Sequence, residues 1–77
     1  MNYEQILLWQ RGNGVERIAA DLAYRISNGS LTRWDSLPLN RTLAKEWNVS
    51  SRTISRAKKL LYDHGVLTLD GRRYYVS

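Results

Sequence analysis

The chain contains no cysteine, which excludes disulfide bracing and thiolate metal sites. It has one histidine, one proline, one methionine and no phenylalanine. The single histidine, His64, precedes Gly65 at an expected helix end, a surface or capping position rather than a catalytic one. The seven acids show no metal-ligand spacing, and there is no glycine-rich phosphate loop. An enzyme, a metal and a cofactor are therefore not expected. The only apolar run near the N-terminus is ILLW at 6–9, far too short to span a bilayer, and no signal-peptide pattern precedes it. A cytoplasmic protein with no membrane partner is the expectation.

What is present is globular. Of 77 residues, 43% are hydrophobic, with three Trp and five Tyr, which suits one small domain with a thin core. The net charge is +5, and its placement matters more than its size. Residues 1–40 hold four arginines and four acids, which cancel. Residues 41–77 hold eight cations and three acids. A one-sided field of this kind favours a polyanionic partner.

Asn2 can cap a short first helix, with Gln5 at capping-box spacing, and Gly12-Asn13-Gly14 breaks it. Val15, Ile18, Ala19, Leu22, Ala23 and Ile26 then form one apolar stripe, ended by Asn28-Gly29. Residues 31–38 read as a connector, extended at Leu37 because Pro38 follows. Asn40 is the expected N-cap of RTLAKEW, with Leu43, Ala44 and Trp47 inward. Asn48 tolerates a left-handed turn, and Ser50 caps a helix over 51–63 that Gly65 ends. In the tail, 66–69 and 72–76 are strand-like around Asp70-Gly71, a favoured hairpin turn pair. Trp34 and Trp47 are expected in the core.

On the helix 51–63, Ile54, Ala57 and Leu61 share one face, and Arg52, Ser55, Arg56 and Lys59 the opposite one. No acid falls between Glu46 and Asp63. Helix, three-residue turn, helix is the helix-turn-helix motif, whose second helix enters the DNA major groove. Arginine grips guanine through two hydrogen bonds, and Ser or Thr meets bases or phosphate. Lys58 and Lys59, further along, suit the DNA backbone. Arg72 and Arg73 fall at the expected hairpin tip, where a basic wing reaches phosphates or a minor groove. The expected fold is α+β, mainly α: a winged helix-turn-helix with a three-helix core, a C-terminal β-hairpin wing and an extra short N-terminal helix. Residues 1–14 form the appendage and 15–77 the DNA-binding domain.

The stretch LPLNRTLAKEWNVSSRTISRA resembles the pattern L-P-S-E-R-x-L-A-x-x-L-G-V-S-R-x-T-V-R-x-A of the GntR-type (gluconate-repressor) winged helices. Leu37, Pro38, Arg41, Leu43, Ala44, Val49, Ser50, Ile54 and Ala57 match without gaps. The resemblance implies that Arg41 contacts DNA from the start of the second helix. It implies that residues after Ser50 read the major groove and that the hairpin tip enters the minor groove. It also implies a homodimer on a near-palindromic operator, most often a repressor. The expected DNA-contact set is Asn40, Arg41, Ser50, Ser51, Arg52, Thr53, Ser55, Arg56, Lys59, Arg72 and Arg73.

The sequence departs from that pattern at several points. Ser51 and Ser55 stand where the family usually has arginines, and Arg52 and Arg56 lie one position later, about 100° round the helix, so either the helix docks with a changed roll or the serines read bases while the arginines grip phosphate. Leu39 replaces the capping serine, so the cap is expected to move to Asn40. Asn48 replaces the turn glycine. The resemblance implies a large ligand-binding and dimerising domain after this one; the sequence stops at Ser77, so either it is an excised domain or the protein has no metabolite sensor, and no small-molecule effector site is expected within these residues. Tyr3, Ile6, Leu7 and Trp9 therefore either pack on the domain's own core or supply a dimer contact. The alternative function is a winged-helix module that binds an acidic protein.

Overall fold

The structure is a computed structural model that describes residues 6–77. The expected cap at Asn2, with Gln5 and Tyr3, lies outside the described residues. A 3-10 turn, Leu8–Arg11, leads into α1, Gly14–Ser27. After a connector come α2, Asn40–Trp47, and α3, Ser51–Asp63. Strands β1, Leu67–Asp70, and β2, Arg73–Val76, form the C-terminal hairpin. The chain folds as the expected winged helix: three helices and an antiparallel hairpin.

Local chemistry explains most boundaries. The segment read as a breaker is also the start signal of α1. The Asn13 side chain accepts from the Glu16 N–H at 2.9 Å, and Glu16 Oε1 accepts from the Asn13 N–H at 3.2 Å. This reciprocal capping box satisfies two donors that the helix itself cannot. Asn48 takes the left-handed conformation at φ 55°, which closes the three-residue turn between α2 and α3. Ser50 caps α3 as expected, its Oγ accepting from the Thr53 N–H at 3.2 Å.

Two local expectations are corrected. Asn40 is not the cap of α2 but its first residue, and Leu39 holds the N-cap position without a side-chain bond. The reason is that the Asn40 amide is directed to another helix, as described below. The hairpin turn lies one residue later than expected. Asp70 pairs with Arg73, leaving Gly71 and Arg72 as the two-residue loop. Gly71 sits at φ +63°. A glycine at the first central position suits a type II′ turn, which matches the strand twist.

The core gathers Ile18, Ala19, Leu22 and Ala23 of α1, Leu43 of α2, and Ile54, Ala57 and Leu61 of α3. Val66, Leu67 and Val76 close it from the hairpin. Ile6 is buried in the same cluster, and Trp9 packs against it with its ring edge-on to His64 at 4.9 Å. Apolar residues at 6 and 9 thus lie on the chain's own core. The stripe read from the sequence is therefore the interface between α1 and α3, which sets the platform on which α3 rests. Each large side chain buried this way contributes about 1.5–3 kcal/mol.

The connector has a structural role that its composition hides. Ser36 bridges Tyr75, the Val76 N–H donates to the Asp35 carbonyl at 3.0 Å, and the Trp34 N–H donates to the Val76 carbonyl at 2.9 Å. An isolated bridge and its flanking backbone bonds thus lie on the free edge of β2 and anchor the wing to the domain. Trp34 is a correction: it is exposed, at φ 71°, with the Arg33 guanidinium 5.6 Å from its ring centre. Its backbone serves the sheet while its side chain turns outward. Trp47, by contrast, packs against the core.

Candidate nucleic-acid interface

The outer face of α3 is built by subtraction. Ile54, Ala57 and Leu61 point into the core at 0% exposure, so the residues between them must project outward. Ser51, Arg52, Ser55, Arg56 and Lys59 are all exposed. Arg41, near the start of α2, is exposed as well. Arg72 is at the apex of the hairpin loop and Arg73 begins β2, both exposed. Arg73 is therefore a strand residue opposite Asp70 rather than part of the loop.

The charges on this surface are largely free. Among the described residues, Arg41, Arg52, Arg56, Arg72 and Arg73 make no ion pair. Of the nearby acids, Asp70 lies across the hairpin from Arg73 without an ion pair among the described residues, and two others are engaged. Glu46 holds Arg25 of α1 at 2.6 Å, and Asp63 meets Lys59 at 3.3 Å. The Lys59 pair is exposed at an i,i+4 spacing, so it contributes only about 0.3–0.5 kcal/mol and leaves the ammonium available.

The polar residues divide into two groups. Ser50 and Thr53 face one another at 3.1 Å between hydroxyl oxygens, at the first turn of α3. Asn40 Nδ2 donates to Ser55 Oγ at 2.9 Å, which joins the start of α2 to the exposed face of α3. Ser51 makes no side-chain bond of this kind among the described residues.

Lys58 is corrected. It was expected to face a DNA backbone, but it is 7% exposed, and its Nζ donates to the Pro38 carbonyl at 2.8 Å. Its position one residue after Ala57 turns it toward the connector. Burial pushes its pKa below the ordinary 10.5, because a charge is less stable away from water. An open cleft of about 500 Å³ lies beside it, lined by Asn40, Ser55, Lys58, Arg72, Arg73 and Tyr74 among others. The cleft draws two expected α2–α3 residues and both expected wing arginines to one place. Arg41, Ser51, Arg52, Thr53, Arg56 and Lys59 lie outside it. Tyr74 had no place in the expected interface and Lys58 a different one: the Pro38 carbonyl draws Lys58 to the cleft, and the pairing of β2 with the connector brings Tyr74 there.

Among the described residues, no group of three His, Cys, Asp or Glu side chains could hold a metal ion, and no helix is long and apolar enough to cross a membrane.

A family model described as bacterial regulatory proteins, gntR family, matches residues 5–76. The chain belongs to the GntR family. A solved structure supports the assignment: YtrA from Sulfolobus acidocaldarius, a GntR-family transcription factor, is 31% identical. It superposes with a TM-score of 0.79, covering 87% of this chain and 71% of that one. No curated protein matches the chain. A GntR-type DNA-binding domain is thus what the three helices and hairpin build. Of the positions that match the GntR-type pattern, Leu37, Leu43, Ile54 and Ala57 are buried here.

Proposed function

We propose that the chain is a sequence-specific DNA-binding transcription regulator that acts as a repressor. In this reading α3 enters the major groove, and the Arg72 loop lies on the minor groove or its phosphates. The observation that carries it is the exposed, unpaired set Arg52, Arg56 and Arg72 on two adjacent elements of a GntR-family fold. The major groove is about 12 Å wide and admits one helix. Arg52 and Arg56, one turn apart, are suited to base edges, while Arg41 and Lys59 are suited to flanking phosphates.

The residue pattern on α3 separates roles. Ser50 and Thr53 hold the first turn of α3, so their contribution to DNA is positional. Ser51 and Arg52 are the most N-terminal free side chains of the helix, where base contact is concentrated. Binding as a homodimer on a near-palindromic operator follows from the family resemblance.

Selection of bound sequences from a random duplex pool tests this function. The expected result is an enriched, symmetric motif. Binding to random duplex should fall steeply with salt as bound cations displace counterions from phosphate. A salt-independent response with no enriched motif would sink the proposal and favour an acidic protein partner.

A further inference from the structure

Among the described residues, Lys58 is the one buried cation, 7% exposed at the wall of the cleft. Its only hydrogen-bond partner among the described residues is the neutral Pro38 carbonyl at 2.8 Å. An ammonium has three donors, and one of them is taken by that carbonyl. It makes no ion pair among the described residues. A buried charge without a counter-charge is costly. An anion in the cleft beside it would supply the missing charge.

The cleft beside Lys58 has the character of an anion site. Arg72 and Arg73 line it from the wing, and Asn40 and Ser55 line it from the helices. Among the described residues, no carboxylate lines it. Three cations therefore share one concavity with uncommitted donors. Arginine forks match phosphate oxygens in pairs, while lysine acts as a point charge. A tetrahedral group with several acceptor oxygens uses such a set better than a carboxylate with two.

We propose that this cleft binds a phosphoryl group, with Lys58 as its buried anchor and Arg72 and Arg73 closing over it. The inference deepens the DNA-binding reading and rests on it for one of two sources, a backbone phosphate of the duplex. The other source is a free phosphate, which would compete with the duplex for the same cations. In either case the wing and α3 are linked through the bound group, because their cations meet on it.

Two measurements on the full chain separate the sources. Inorganic phosphate is titrated at constant ionic strength against chloride while side-chain resonances of Lys58, Ser55 and Arg72 are followed by NMR. Binding to duplexes that carry one neutral methylphosphonate at successive positions is measured in parallel, for wild type and Lys58→Met. A backbone source predicts one position whose neutralisation weakens wild type about tenfold and Lys58→Met not at all. A free source predicts saturable shifts with phosphate, abolished in Lys58→Met, and displacement of duplex by phosphate. If Lys58→Met does not fold, Arg72→Ala at the exposed loop replaces it, with the same outcomes expected. No Lys58- or Arg72-dependent phosphate position and no saturable shift would overturn the proposal. Wild type would still bind duplex in that event, so the failure would not touch the proposed function.

Discussion

Asn40 Nδ2 lies 2.9 Å from Ser55 Oγ, a bond that crosses from the first residue of α2 to the middle of α3. Three residues further along α3, Lys58 reaches the Pro38 carbonyl just before α2. Residues at this spacing share a helix face. Two polar contacts on one face thus hold α3 against the start of α2 and set its roll. Asn40→Ala and Ser55→Ala should each destabilise the fold by about 0.5–1.5 kcal/mol, the net value of one hydrogen bond. The double variant should cost no more than either alone, as urea titrations of the four proteins would reveal. Additive losses would mean that the two side chains act independently.

Base recognition should rest on the arginines that no carboxylate holds. Arg52→Ala and Arg56→Ala are each expected to weaken binding to a selected operator by about 1–3 kcal/mol, with relaxed preference at one base position. Lys59→Ala should weaken all sequences alike and flatten the salt dependence. Competition binding with single-base operator variants distinguishes the two patterns.

The turn between α2 and α3 depends on one residue that tolerates positive φ. Asn48 sits at φ 55°, where a Cβ without a polar side chain is disfavoured by about 1–2 kcal/mol. Asn48→Ala should lower stability by that amount, and Asn48→Gly should be neutral or stabilising. Thermal unfolding of both variants checks the order, and a stable Asn48→Ala would show that the turn is not under backbone control.

Asp35 links pH to the anchoring of the wing. The Thr32 backbone N–H at 2.8 Å and its hydroxyl at 3.0 Å both favour the carboxylate and lower its pKa below 3.8. A group depressed in the folded state contributes its stability above the unfolded pKa and loses it as pH falls through the folded one. Acid unfolding of wild type should therefore include a component below pH 3.8 that Asp35→Asn lacks. Superimposable acid profiles for the two proteins would rule it out.

Lys58 carries the opposite sign. Its pKa is lowered from 10.5 by burial, so its charge opposes folding most at neutral pH. That opposition is relieved as pH rises through the folded value toward 10.5. The stability of wild type relative to Lys58→Met should rise across that alkaline window, as paired urea titrations would show. A constant difference would mean that Lys58 is better solvated than its burial implies.

Much of the architecture could be read directly because it is local. The α1 stripe, the Ser50 cap, the left-handed Asn48 and the Gly65 stop each depend on a few neighbouring residues, and each stands where it was expected. What escaped notice involves residues distant in sequence. Trp34 looked like a core residue because aromatics bury well, yet pairing of its backbone with Val76 turns the ring outward. Asn40 looked like a cap because its type suits one, but Ser55, fifteen residues away, takes its amide. Lys58 looked like a surface cation because most lysines are, and only the passage of Pro38 beside α3 buries it.

The sequence by itself determined the helix-turn-helix, the hairpin and the basic outer face of α3, since periodicity, caps and turn residues act within a few positions of one another. The tertiary structure alone decided which cations face solvent and which lie in a cleft. That choice depends on where the connector and wing come to rest, and the packing of Leu37, Val66 and Val76 against α1 and α3 makes it. Burial is a property of neighbours in space, and no run of residues carries it.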